Sequence, residues 1–309
     1  MFFTNMKTAA MQVGILYIMV LVGFVCSKAR IYTEKTAKAT TDLLFYIITV
    51  CVIIKSFLDM EFNPETATKF LVSLLCNFAT FTVGIILTIP MFKKEKHPDN
   101  PIYRYSAIYS NAGYMALPLA QAILGSEGVF YCSTGVIAFN VLSFTHGIKL
   151  MNKDSNKFSL KKLILNPGSL GIIIGLPLFL LNVDLPVIFS KPIEYLTGMN
   201  TPLAMIIFGT YLANTDLKTM FKDKKIYLVS LIRLIIIPVI CISAYRLIGI
   251  SGALLVSCAI TAAVPSANNT ILFAAKYDRN TATASKVVAV VSFISILTLP
   301  VMIALAQSL

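Results

Sequence analysis

Two short runs hold the residues of this chain best suited to chemistry: Asn111-Ala-Gly113-Tyr114-Met115-Ala-Leu-Pro118 and Pro265-Ser266-Ala-Asn268-Asn269. Each sets amides or a hydroxyl beside a proline inside an otherwise apolar stretch. Proline removes a backbone donor and clashes with the carbonyl one turn earlier. Gly113 tolerates backbone angles that other residues avoid. A helix that opens at such a place frees main-chain N–H and C=O groups, which Asn and Ser side chains can cap while still reaching a ligand. The expected breaks fall just before Pro118 and at Pro265, with a half-helix starting after each proline. Two helix N-termini that converge favour an anion, typically a carboxylate. The competing reading makes both breaks packing kinks filled by neighbours.

The elements that position these runs are membrane helices. Hydrophobic residues form 57% of the 309, charged residues 13%, and mean hydropathy is +0.80, outside the range of soluble domains. A bilayer span takes roughly 20 apolar residues. Ten stretches qualify, near 9–26, 38–58, 68–91, 103–124, 128–150, 168–183, 193–214, 226–246, 251–275 and 286–306. No connection is long enough for a soluble domain, so residues 1–309 read as one integral membrane domain. The first stretch follows Lys7 but ends in Phe24-Val25-Cys26-Ser27-Lys28, without a small-x-small cleavage site, and reads as a retained helix. The six cysteines sit in or beside apolar stretches without a CxxC pair and read as small core residues.

The net charge of +12 suggests nucleic acid only until the charges are placed. Twenty of the 26 Lys and Arg fall in or beside alternate connections, the first, third, fifth, seventh and ninth. Basic connections stay cytoplasmic, so both termini are expected on the non-cytoplasmic side of a multi-pass cell-membrane protein. Five spans per half is an odd number, so the halves enter the membrane from opposite sides. That predicts two inverted repeats, about 9–150 and 168–306, with the two breaks in the fourth and ninth spans.

Other polar residues lie at bilayer depth. Asn77 and Asn140 are buried amides, read as an interhelical tether or a site group. Gln121 faces either the cavity or a neighbour. Arg233 is expected to snorkel to headgroups or to meet a carboxylate in an inward cavity. His146 reads as a polar end residue or a proton-linked group. Gly171-x-x-x-Gly175 permits close helix packing. No Asp or Glu lies deep in a span: Asp42, Asp59, Glu61, Glu127, Asp216 and Asp278 all fall near ends.

The pattern Asn111-x-Gly113-Tyr-Met115-x-x-Pro118 resembles the fourth-helix signature of the auxin efflux carrier family, which includes bacterial malate and malonate permeases and the plant PIN proteins. Val264-Pro265-Ser266, Pro202-Leu-Ala-Met-x-x-x-Gly209 and Arg233-Leu-x-x-x-Pro238 are similar too, so the likeness spans the chain. The resemblance implies an all-α fold like that of bile-acid symporters and sodium/proton antiporters, with broken helices 4 and 9 crossing beside the substrate. With the residues at the breaks it places the substrate against Asn111, Gly113, Tyr114, Met115, Pro118, Asn140, Pro265, Ser266, Asn268 and Asn269, and the depth of Asn77, Gln121 and Arg233 makes them candidate accessory residues. The absent buried carboxylates depart from the sodium-coupled relatives, whose sites use acidic side chains.

A secondary carrier of a small organic anion is therefore expected, working by alternating access, with a sodium-coupled symporter or a channel-like uniporter as alternatives. A primary pump lacks its GxxxxGK[ST] loop. An enzyme lacks HExxH, GxSxG and paired buried carboxylates, there being only His97 and His146. Expected partners are the anion and membrane lipid, with a homodimer allowed, and with no nucleic acid, cofactor or metal.

Overall fold

The computed structural model describes residues 2–92, 97–152, 167–214 and 223–309, and these are almost wholly helical. In chain order the helices are α1 (Phe2–Lys28), α2 (Glu34–Leu58), α3 (Pro64–Met91), α4 (Asn100–Ile108), α5 (Ala112–Met151), α6 (Pro167–Leu180), α7 (Val187–Ala213), α8 (Lys224–Leu247), α9 (Gly252–Ala263), α10 (Asn269–Lys276) and α11 (Thr281–Ser308). Of these, α2, α3, α5, α8 and α11 are long and apolar enough to cross a bilayer alone; Gly14–Lys28, α6 and α9 are shorter apolar helices. Asp216 and residues 153–166, most of the expected junction between the repeats from Lys149 to Pro167, lie outside the described residues.

Helix starts follow from local side chains. Asn63 caps α3 by accepting from Thr66 N at 2.8 Å with Pro64 in the first turn, and Asn280 caps α11 by accepting from Thr283 N at 3.1 Å. The 40 residues of α5 are not one rod, because Gly125 takes φ 65° and ψ −148°, a region open to glycine, and divides it into arms 112–124 and 126–151.

The helices pack in two groups, which meet where α1 lies along α11. In the first, α1 lies on α7 and α6 on α2. Gly23 meets the main chain of Ile206, and Gly209 meets that of Val20, so a methyl group at either would collide with backbone. Small residues allow such approach where lipid supplies no hydrophobic push between helices. Gly171 and Gly175 seat α6 against the side chains of Ile53 and Phe57. The second group joins α3, α5, α8, α9 and α11 around a core that includes Phe81, Tyr109, Phe130, Leu255 and Val291.

Among the described residues, wide π turns interrupt helices at Leu44–Ile48, Ser143–Gly147 and Ile232–Ile236 and open one at Ala112–Ala116. Such turns free a carbonyl, and here hydroxyls answer two of them: Thr49 Oγ1 donates to Leu44 O at 2.9 Å, and Tyr109 OH to Leu142 O at 2.9 Å. Ala112–Ala116 and Ile232–Ile236 lie just before Pro118 and Pro238, which lack the N–H a regular ladder needs.

Candidate functional site

Between α4 and α5, and again between α9 and α10, the chain runs extended for a few residues, and the two stretches pair with each other. Asn111 N donates to Pro265 O at 2.8 Å and Ala267 N to Tyr109 O at 2.9 Å, an antiparallel bridge centred on Ser110 and Ser266. Ser266 Oγ donates to Ser106 O at 2.7 Å. Backbone groups that lipid cannot satisfy are thus met by the other break. Broken helices cross here, with two C-termini (Ile108, Ala263) and two N-termini (Ala112, Asn269) around one point.

The first break is not where the proline suggested. It falls at Ser110–Asn111, and Pro118 sits inside the continuing helix, its carbonyl accepting from Thr201 Oγ1 at 3.1 Å. Asn111 is the N-cap, its side chain accepting from Tyr114 N at 3.3 Å. The second break contains Pro265 as expected, but Asn268, the cap residue of α10, makes no capping bond.

Three cavities meet at this crossing. The largest, about 610 Å³, lies between α2 and α7 on one wall and α10 and α11 on the other, and reaches Tyr114, Asn268 and Asn269. Glu34, Asn214 and Lys286, exposed residues at or near the ends of α2, α7 and α11, line one end of it and mark that end as its mouth. One of about 40 Å³ touches Asn111, Tyr114, Met115 and Asn268, and one of about 20 Å³ touches Ser110, Asn111, Gly113, Tyr114, Asn140, Asn268 and Asn269. Tyr114 borders all three and stacks on Phe45 at 4.4 Å between ring centroids. A site of a few hundred Å³ with mainly apolar walls and a few converging polar groups is the usual form of a small-molecule pocket.

Not every expected residue lines these spaces. Pro265 and Ser266 are buried in the crossing and Pro118 in the helix beyond it, and none of them borders the three cavities. Asn77 is held by α3, α5 and α9: Nδ2 donates to Ser73 O and Thr134 Oγ1, both at 3.0 Å, and Oδ1 accepts from Thr261 Oγ1 at 2.6 Å. Gln121 faces its neighbour α7, where it bonds Asn200 and the Thr197 carbonyl. Asn140 borders the smallest cavity and donates to Ser169 Oγ at 3.1 Å. His146 bonds Tyr109 OH at 2.9 Å.

Arg233 fulfils neither of its expected roles. It is 0% exposed, borders none of these cavities, and donates to the carbonyls of Ile108 (2.8 Å), Thr261 (3.5 Å) and Ala262. These carbonyls close the C-termini of α4 and α9, so one guanidinium holds the ends of both first half-helices. Wide forked donors suit that task. Sequence reasoning missed this because its partners are main-chain atoms. The missed signal is a lone arginine, deep in a span, with no buried acid among the described residues to pair with it.

A multi-pass helical protein with a ligand-sized cavity ending on two crossed helix breaks has the build of a membrane transporter. The chain belongs to the family of membrane transport proteins, which matches residues 8–159 and 153–303 and contains the auxin efflux carriers. No curated protein matches it.

Proposed function

We propose that this transporter is a secondary carrier that moves a small organic anion, a carboxylate such as malate, malonate or an auxin-like acid, and holds it at the crossing. In this reading α4 with residues 112–124 makes the fourth span, 126–151 the fifth, and α9 with α10 the ninth, giving ten spans in two inverted repeats. The protein lies in the cell membrane with both termini outside. The observation that carries the reading is the large cavity ending on the uncapped start of α10 at Asn268 and Asn269, beside Tyr114 and the Asn111 cap.

The chemistry is binding and release. A carboxylate entering the cavity exchanges water for the amides of Asn111, Asn268, Asn269 and Asn140 and for the positive ends of two helix starts. The mouth lies at the end that carries Lys28, Arg30, Lys224 and Lys286, so this conformation is open to the cytoplasm. The far end is shut where residues 112–124 meet α7. Movement of the second helix group against the first opens that end and closes the other. No described carboxylate is buried to carry a proton or hold sodium. The membrane potential therefore acts on the anion itself, by about 2.3 kcal/mol per charge per 100 mV.

The test is uptake into proteoliposomes. Saturable, carboxylate-selective uptake is expected, and Asn111→Ala or a paired Asn268→Ala/Asn269→Ala change should reduce it at least about tenfold, the loss of one or two charge-assisted hydrogen bonds. Normal uptake by both variants, or equal competition by neutral analogues of similar size, would sink the reading. Flux that never saturates would make the protein a channel.

A further inference from the structure

A pair of crossed broken helices has no built-in preference for anions. Each N-terminus carries about half a positive charge and each C-terminus about half a negative one. At this crossing two of each come together, and taken alone they cancel. The chain tips that balance by one residue. Arg233, fully buried, donates to Ile108 O at the end of α4 and to Thr261 O and Ala262 O at the end of α9. It meets both negative ends and neither positive one. Its Nε has no hydrogen-bond partner, and among the described residues no Asp or Glu is buried to answer it. The positive starts of α5 and α10 have no counter-charge either: Asn111 is a neutral cap, and Asn268 makes no capping bond.

We infer that Arg233 is the anion-selectivity residue of the crossing: it neutralises both C-terminal ends from behind, leaving the two N-terminal ends uncompensated, and only a bound anion completes the charge balance. The residue acts through the helix ends and never touches substrate, so it is a positioning residue. The inference rests on the carrier reading above. It explains an economy in this site, which has no cationic side chain among the residues around its two inner cavities. It also gives the buried arginine a purpose beyond holding the crossing together. Ile108 O lies two residues before Ser110, so the guanidinium sits within about 10 Å of the break and acts through low-dielectric surroundings.

The experiment compares ligands of two charges. Purified protein is tested for binding of a monocarboxylate and of its neutral amide analogue, in the wild type and in Arg233→Lys, Arg233→Gln and Thr261→Asp. The last keeps the arginine and its carbonyl contacts but adds a negative charge one side chain away, where Thr261 Oγ1 now meets Asn77. Wild type is expected to prefer the carboxylate, and Arg233→Lys to keep most of that preference. Arg233→Gln and Thr261→Asp should each cut it about tenfold or more, the effect of one unit charge at this range, while amide binding holds. A purely structural arginine would weaken both ligands equally. Carboxylate preference retained in Arg233→Gln, or in Thr261→Asp should the first variant not fold, overturns the inference. Absence of the preference in wild type overturns the carrier reading instead.

Discussion

Asn77 and Asn140 look alike in the sequence, each an amide in the middle of an apolar helix, yet their surroundings ask different things of them. Asn77 spends both ends of its amide on Ser73, Thr134 and Thr261. Asn140 makes one bond, to Ser169, and turns the rest toward the small cavity at the breaks. Interhelical hydrogen bonds in membranes average about 0.6 kcal/mol each. Asn77→Ala should therefore lower the Tm by a few degrees, a loss of about 1–2 kcal/mol, and leave KM within about twofold. Asn140→Ala should do the reverse, raising KM about fivefold or more at nearly unchanged Tm, as expected for one lost hydrogen bond to ligand. Melting and uptake curves on the two variants check this, and equal effects on both quantities would remove the distinction. The sequence announced that both residues were unusual. It could not say which was satisfied, because that depends on Thr134 and Thr261, which are distant in the chain. Arg233 is the extreme case: its partners are carbonyl oxygens, which no residue type encodes.

At the scale of elements, bilayer thickness made the fold legible. The stretches at 38–58 and 68–91 lie within α2 and α3, and that at 286–306 within α11, since a span needs about 20 apolar residues whatever its neighbours. The breaks were legible only as a neighbourhood. Pro118 drew attention to the fourth span, but the helix opens at Ser110–Asn111, because the antiparallel pairing with Pro265–Ala267 decides the place and that partner is far off in sequence. The proline has another use. Its carbonyl accepts from Thr201, while Gln121, one turn on, bonds Asn200 and the Thr197 carbonyl. These contacts latch residues 112–124 onto α7 at the end away from the large cavity. Hydrogen bonds contribute about 0.5–1.5 kcal/mol each, so under the alternating-access proposal losing two should shift the equilibrium roughly tenfold toward opening at that end. The expected outcome for Asn200→Ala/Thr201→Val is faster labelling of a cysteine placed at position 197 by an impermeant maleimide, in an otherwise cysteine-free chain. Unchanged labelling would mean that the latch holds nothing shut.

For the whole molecule, contacts among the connections sort them into two ends. Phe62 N donates to Asn182 Oδ1 at 2.7 Å, and Ser126 bonds Asp59, which also pairs with Lys55, so the turns after α2, at Gly125 and after α6 share one end. At the other end Lys28 Nζ donates to Ala213 O at 2.7 Å, Arg279 Nε to Met151 O at 2.9 Å, and Tyr103 bonds Asp223. Cations thus sit on the C-termini of α7 and α5, where helix dipoles welcome them. The same end holds most of the basic residues and the mouth of the large cavity. Charge bias and cavity direction are therefore one question: if basic connections face the cytoplasm, the large cavity of this conformation faces it too. Cysteines at Asp184 and Ser251 should react with an impermeant maleimide on intact cells, and those at Thr33 and Asp278 only after permeabilisation. The opposite pattern would leave the crossing intact but turn the molecule over, so that the same cavity and the same positive helix ends would face the outer solution.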